Sequence, residues 1–285
     1  MTGNSKALEK LVRQFDANRE SIKSGAVVLA THLGLGDQIT ASRIIERLLD
    51  RGVEVFLPVK SMYMEFMTKV FGGWQGLRFF RVGNSYDFEL TRISYHARMM
   101  GVKVLNLGHR SYPTARRLFP EFPITSVFNI LGGVPPHDVV SSRFRSSLFA
   151  LPQIQPRTSP YAFVDHHPGT WREIDGVILN RLKDAGLEIV FNPRDSPLYS
   201  TLKLMDSAAE VHLVPSAPLC MALTADIQSP KRVHHDFGCD PVSPIYTGWM
   251  VTSPTGCRKP REVPIATREL DVRDYLLSGA FLDSR

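Results

Sequence analysis

The chain has 285 residues, of which 43% are hydrophobic and 22% are charged, a composition typical of a globular protein large enough for two domains. It contains no apolar run of about 18 residues, which excludes a transmembrane helix. The polar amino terminus predicts no signal peptide. The formal net charge of +6 favours an anionic ligand, but the basic residues are scattered, which argues against a nucleic-acid partner.

Strands and helices alternate through the first half of the chain. We assign short apolar runs to strands and apolar residues at helical spacing to helices. The predicted strands are residues 27–30, 53–58, 77–82 and 102–107, and the predicted helices are residues 38–50, 62–71 and 86–100. Strands that are joined by helices predict a parallel sheet with right-handed crossovers.

The proline-rich segment 113–160 interrupts this alternation, and we expect residues 135–160 to be irregular, with a strand-like stretch at 147–151. The alternation then restarts, with predicted strands at 161–165, 187–191, 211–214 and 232–235 and predicted helices at 173–185, 198–207 and 218–225. The sequence therefore predicts an α/β protein in which two Rossmann-like β/α domains face a cleft. We place the domains at residues 1–155 and 156–285, the second with an extended carboxyl-terminal tail.

A glycine-rich turn, Gly34-Leu35-Gly36-Asp37, follows the first predicted strand. It lies at the carboxyl end of the strand, where open α/β sheets bind ligands. Gly34 and Gly36 permit a positive φ and a close approach of backbone to ligand, although a plain tight turn explains them equally well. Asp37 is a candidate general base, and the alternative is that it caps a helix that starts at Gln38.

Three segments resemble motifs of the GT-B glycosyltransferases, and specifically of the lipopolysaccharide heptosyltransferases in glycosyltransferase family 9. They are GLGDQI at 34–39, YAFVDHHPGTWREI at 161–174 and EVHLVPSAPLCMAL at 210–223. The resemblance implies a GT-B-like fold and transfer of a sugar from a nucleotide-diphosphate sugar to a hydroxyl acceptor. The third segment departs from the family, because Pro215-Ser216-Ala217 stands where Asp-Thr-Gly is usual.

The resemblance assigns the first domain to the acceptor and the second to the donor. On the acceptor side it implies Asp37 as the base, with Gly34 and Gly36 lining the cleft. His32 and His109 end the first and fourth predicted strands and are further candidates to line this side, and a plain loop position is the competing explanation for each. We expect the reaction to invert the anomeric centre and to proceed without a metal.

On the donor side, Gly169, Thr170 and Arg172 are expected to hold the diphosphate at a helix start. Arg194, Ser216 and Ala217 complete this predicted site. Capping offers a competing explanation for two of these residues. Thr170 with Glu173 forms a capping-box pattern, and Ser216 before Ala217-Pro218 is a good N-cap. A solvated loop position is the competing explanation for Arg194.

Neither the histidines nor the cysteines predict a metal site or a bound cofactor. The pairs His166-His167 and His234-His235 are adjacent in sequence, so their side chains point to opposite faces of a strand. The three cysteines have no paired spacing, which favours a reducing compartment. We expect a cytoplasmic protein with peripheral membrane contact and a glycan or lipid-linked glycan acceptor.

Two other functions on the same fold stay open at this point. The altered third motif is compatible with a catalytically silent protein that binds nucleotide sugars. A nucleotide-sugar 2-epimerase is the second alternative, although no carboxylate-rich pattern for it is evident. A Rossmann oxidoreductase is disfavoured because the second strand ends at Pro58-Val59-Lys60 without the acidic residue that would hold a ribose.

Overall fold

The computed structural model describes residues 3–83, 86–107, 124–136, 138–167, 170, 173–235 and 249–252. Nine strands of these residues form two parallel sheets. The strands are β1 (Ala26–Ala30), β2 (Glu54–Lys60), β3 (Leu77–Val82), β4 (Lys103–Asn106), β5 (Tyr161–Val164), β6 (Glu188–Phe191), β7 (Glu210–Leu213), β8 (Lys231–His235) and β9 (Trp249–Thr252). The first sheet has the order β3-β2-β1-β4 and the second the order β6-β5-β7-β8-β9.

Helices and two 3₁₀ turns (Ser61–Tyr63 and Leu198–Thr201) connect these strands. The helices of the described residues are α1 (Gly3–Ile22), α2 (Leu35–Thr40), α3 (Ser42–Asp50), α4 (Met64–Phe71), α5 (Tyr86–Met99), α6 (Ile124–Gly132), α7 (Ser142–Phe149), α8 (Gly176–Asp184), α9 (Leu202–Ser207) and α10 (Ala217–Thr224). The predicted α/β class with parallel sheets is confirmed.

Two local predictions in these segments are wrong, and one strand was not predicted. The helix expected over 38–50 is divided at Ala41 into α2 and α3, and it begins earlier, at Leu35. The stretch 135–160, expected to be irregular with a strand-like part at 147–151, contains α7, which overlaps that part as a helix. Strand β9 extends the second sheet within a tail that carried no strand pattern. The predicted division at residues 155 and 156 falls between β4 and β5 and stays a prediction.

Strands β1 and β5, which lie inside their sheets, are apolar because helices cover both faces of each strand. In the first sheet Val27 and Leu29 join the core beneath α1 and α3, whereas Val28 and Ala30 pack with Ile93 of α5. In the second sheet Tyr161 and Phe163 join the same large core, and the other face of β5 packs against α8. This burial on both sides explains the short unbroken apolar runs in the sequence.

Helix α7 joins the two halves of the molecule. Phe144 stacks on Phe71 of α4, with ring centroids 5.4 Å apart. Arg145 on the same helix donates a hydrogen bond to the carbonyl of Ala225 at 2.6 Å and another to the carboxylate of Asp206 at 3.0 Å. One continuous apolar core therefore includes residues from both sheets. Among the described helices, none combines the length and apolarity that a bilayer-spanning segment needs.

Candidate functional site

Asp37 lies in the first turn of α2, directly after β1 and its short loop. The helix begins at Leu35, so Asp37 is its third residue and not the residue before it. The prediction that Asp37 is an N-cap is therefore wrong, although its carboxylate does stabilise the helix start. Oδ2 of Asp37 accepts a hydrogen bond from the backbone N–H of Gly34 at 3.2 Å. An acidic residue at this position is also favoured by the helix dipole.

Gly34 and Gly36 are needed for space and not for an unusual backbone conformation. Gly34 has φ −71° and ψ 151°, so the predicted positive φ is wrong there; the positive φ of this turn belongs to Leu33, at 61°. A Cβ on Gly34 would lie 2.6 Å from Oδ2 of Asp37. The glycine thus lets the carboxylate reach the backbone amide.

Gly36 makes room for helix α10 of the other sheet. A Cβ on Gly36 would lie 3.0 Å from Sγ of Cys220 and 3.7 Å from Cα of Ala217. The sequence predicted that a ligand would approach the backbone closely at Gly36. In the structure it is helix α10 that approaches closely there. Asp37, the predicted base, comes directly after Gly36. Ser216, a predicted donor residue, comes directly before Ala217. The two predicted residues therefore flank the contact of Gly36 with α10.

Asp165 lies at the centre of the polar contacts on the side that the sequence motifs assign to the donor, and those motifs did not indicate this residue. Its carboxylate is only 3% exposed. Oδ1 accepts from the side-chain amide of Asn192 at 2.9 Å, and Oδ2 accepts from the hydroxyl of Ser216 at 2.7 Å. These three residues follow β5, β6 and β7, which are neighbours in the sheet. An acidic residue at the carboxyl end of a buried strand was the available signal.

Ser216 occupies the N-cap position of α10, as its sequence context predicts, but its side chain serves another partner. Within the described residues its hydroxyl makes no cap bond to the helix. The oxygen lies 2.7 Å from Asp165 Oδ2 and 2.9 Å from the carbonyl of Val214. The serine is therefore bound to the strand ends and not to the helix that it precedes.

Arg194 extends from the loop after β6 to the loop after β5. Its Nη2 donates to the carbonyl of His166 at 3.2 Å and lies 3.4 Å from Nδ1 of His167. The ring of His166 stacks on Phe191 with centroids 5.1 Å apart. Burial lowers the pKa of His166, so this histidine is neutral at pH 7. An exposed guanidinium therefore lies beside the carboxyl ends of two adjacent strands.

Thr170 does not begin a helix. Its hydroxyl donates to the carbonyl of His167 at 2.7 Å and closes a turn. The following helix, α8, begins at Gly176 and is capped by Asp175, whose carboxylate accepts from the N–H of Val177 at 2.8 Å. The capping box proposed for Thr170 and Glu173 is therefore wrong, and so is the expected helix start at this turn. Gly169 and Arg172 lie outside the described residues.

His32, which was predicted to line the acceptor side, follows β1 and is half-buried. Its ring lies 6.1 Å from the ring of Phe128 in α6, measured between centroids. His109, the other histidine expected here, lies outside the described residues. His32, Gly34, Gly36 and Asp37 thus occupy one short segment at the carboxyl end of β1.

A second polar network lies in the C-terminal sheet. Nδ1 of His212 lies 2.9 Å from Nε2 of His235, and Nε2 of His212 lies 3.1 Å from Oε2 of Glu210. Burial lowers the pKa of His212 and lowers that of His235 to about 3. Both rings are therefore neutral at pH 7. Because Glu210 accepts from Lys231, we infer that His212 carries its proton on Nε2 and accepts from His235 through Nδ1.

The ring nitrogens of His212 and His235 are directed at each other. In the part of the chain that the structure describes, no three His, Cys, Asp or Glu side chains are grouped so that they could hold a metal ion. Sequence spacing did not indicate the pair of His212 and His235, because it joins two neighbouring strands.

Two solved structures match almost the whole chain, each with a TM-score of 0.51. The iron-containing dodecameric glycosyltransferase TibC from enterotoxigenic E. coli H10407 is 11% identical over 90% of this chain and 74% of its own. A glycosyltransferase family 9 protein from Veillonella parvula DSM 2008 is 12% identical over 91% of this chain and 97% of its own. This chain has the GT-B fold. No protein-family model and no curated protein matches the sequence.

The expected GT-B fold is therefore confirmed. At identities of 11% and 12% the likeness defines the fold alone, and the chemistry rests on the site itself. The fold places the carboxyl ends of β1, β5, β6 and β7 around the contact between α2 and α10.

Proposed function

We propose that this protein is a glycosyltransferase that moves a sugar from a nucleotide-diphosphate sugar to a hydroxyl acceptor. The contact of Gly36 with Ala217 and Cys220 carries the proposal. It brings the ligand-binding ends of the two sheets to one place, with Asp37 on one side and Ser216 on the other. The fold shared with two glycosyltransferase structures supports the same assignment.

The donor would bind against the loops after β5, β6 and β7. Arg194 supplies a guanidinium there, and Ser216 and Ala217 begin α10, whose first-turn amides attract anions. Thr170 lies on the exposed turn beside His167. Gly169 and Arg172 complete this part of the proposal from sequence alone.

Asp37 would act as the general base. Its carboxylate accepts the proton of the acceptor hydroxyl while that oxygen forms a bond to the anomeric carbon of the donor. The bond from this carbon to the diphosphate breaks on the opposite face, which inverts the centre. Arg194 and the backbone amides at the start of α10 stabilise the negative charge that develops on the leaving diphosphate, so the proposal requires no metal.

A binding screen tests the donor assignment. Purified protein is heated with ADP-, GDP-, UDP-, CMP- and dTDP-sugars, with NAD and NADP as controls. A nucleotide sugar at about 100 times its Kd should stabilise the protein by roughly 2.7 kcal/mol. Stabilisation by NAD or NADP alone would contradict the proposal.

A matched variant tests the base. Asp37→Asn keeps an oxygen that accepts from the N–H of Gly34, so stability and donor binding should stay close to those of the unmodified protein. Turnover, measured as nucleoside diphosphate released with glycan and lipid-linked glycan acceptors, should fall by about 10²–10⁴-fold. Donor binding without turnover in the unmodified protein would instead identify a silent nucleotide-sugar-binding protein.

We also propose that the protein contacts an anionic membrane surface through α5. Tyr95 and Met99 are 57% and 68% exposed, and Arg98 between them is exposed as well. Apolar side chains beside a cation suit anionic lipid headgroups. Met99→Ser should reduce cosedimentation with phosphatidylglycerol vesicles. Met62→Ser is the matched control, because Met62 is equally exposed but lies outside α5.

A further inference from the structure

Asp165 is a buried carboxylate in the middle of the donor side, and the proposed chemistry gives it no direct task. Burial of a carboxylate is unfavourable unless hydrogen bonds satisfy its oxygens. Here the two oxygens accept from two different loops, Oδ1 from Asn192 at 2.9 Å and Oδ2 from Ser216 at 2.7 Å. The carboxylate therefore ties the loops after β6 and β7 to the end of β5.

Asp165 also determines where the Ser216 side chain points. A serine at an N-cap ordinarily accepts a hydrogen bond from an amide in the first helical turn. The Ser216 hydroxyl instead faces Asp165 Oδ2 and the carbonyl of Val214, and in the described structure it makes no cap bond. Because Pro218 has no N–H, the amide that a serine cap would normally reach is that of Leu219, and the Ser216 side chain does not cap it.

We infer that Asp165 is a positioning residue for the nucleotide-sugar donor, an inference that rests on the proposed function. It holds the Ser216 hydroxyl and the Asn192 amide so that three neighbouring loops present one preorganised surface. A surface ordered before the ligand arrives loses less conformational entropy on binding. Asp165 acts through these two side chains and does not touch the donor.

The test uses the full chain and the nucleotide sugar that stabilises the unmodified protein in the panel above. Asp165→Ala removes both acceptors. Asp165→Asn keeps an oxygen for Asn192, and its new amide group faces Ser216, whose hydroxyl can turn to Val214. By calorimetric titration we expect Asp165→Ala to weaken donor binding by about 10- to 100-fold and Asp165→Asn to weaken it less. The donor KM should rise more than kcat falls.

Two controls separate positioning from general stability. Asp175→Ala removes the carboxylate that caps α8, so it should lower the melting temperature while donor binding stays normal. Combining Asp165→Ala with Ser216→Ala should weaken binding by less than the product of the two single effects, because the two residues act through one hydrogen bond.

Three outcomes would overturn the inference. If the Asp165→Ala variant binds the donor as tightly as the unmodified protein does, the role of Asp165 is purely structural. Fully independent effects of Asp165→Ala and Ser216→Ala would show that the carboxylate does not act through this serine. If the unmodified protein binds none of the nucleotide sugars, the proposed function itself fails, and the inference fails with it.

Discussion

Gly36 of α2 packs so closely on Cys220 of α10 that a Cβ at Gly36 would lie 3.0 Å from the cysteine Sγ. The two helices follow strands of different sheets, so this contact determines how near the carboxyl-terminal edges of the two sheets come to each other. Helices α2 and α10 can come this close because Gly36 has no side chain.

Gly36→Ala should therefore be destabilising, although alanine favours a helix. Overpacking a tight contact costs roughly 1–3 kcal/mol, which exceeds the gain of about 1 kcal/mol in helix propensity. Adding Cys220→Ala should restore stability in urea unfolding, because it removes the sulfur. Gly176→Ala, in the first turn of α8 with no atom within 4 Å of its Cβ, is the matched control and should not destabilise. If the Gly36→Ala variant is as stable as the unmodified protein, the contact between Gly36 and Cys220 is not as tight as described.

Glu46 of α3 holds the start of α7, and its replacement should cost more than that of its neighbour Asp50. Buried Glu46 accepts from the Ser142 hydroxyl at 3.1 Å and from the Arg143 N–H at 3.3 Å. We expect Glu46→Ala to lower the free energy of unfolding by about 1–3 kcal/mol. Asp50→Ala removes an ion pair to Arg143, but the Asp50 side chain is 47% exposed, so this variant should cost at most about 1 kcal/mol. Equal losses would contradict the assigned role of Glu46.

His235 should make the protein less stable in acid. Burial lowers its pKa in the folded chain to about 3, whereas the unfolded residue titrates near 6.5. As the pH falls below about 6.5, the unfolded chain therefore binds a proton that the folded chain does not. The free energy of unfolding should fall by up to about 1.4 kcal/mol per pH unit from this group, until the pH nears 3.

His235→Gln tests this prediction, because glutamine can donate to Nδ1 of His212 but does not titrate. Urea unfolding between pH 7.5 and 4.5 should show a shallower loss of stability in the variant than in the parent. Parallel curves would mean that His235 is accessible to protons in the folded state.

Chelation tests the expected metal-independence of the transfer. Turnover in EDTA should equal turnover in EDTA that has been saturated with magnesium beforehand, since Asp37 and Arg194 supply the charges that the proposal requires. Activity that EDTA removes and that magnesium or manganese restores would assign a metal to the reaction.

Much of the fold could be predicted from local sequence patterns, and the exceptions have physical causes. Strands β1 and β5 are apolar on both faces, so each leaves an unbroken apolar run. Helix α7 buries only Phe144 and Leu148 and is flanked by prolines, so its pattern is short and weak. Strand β9 is a short edge strand in a segment rich in proline and glycine, so its sequence shows no clear strand pattern.

The sequence by itself determined the α/β class, the glycine turn after β1 and the position of Asp37 at the carboxyl end of a strand. These follow from neighbouring residues, whose spacing decides which faces are buried. Only the tertiary structure decided that Gly36 packs on Cys220 and that Asp165 binds Ser216. The latter two residues are separated by 51 positions, and they meet because β5 and β7 pair in parallel. Strand order and sheet packing thus assemble the site, and no local pattern encodes them.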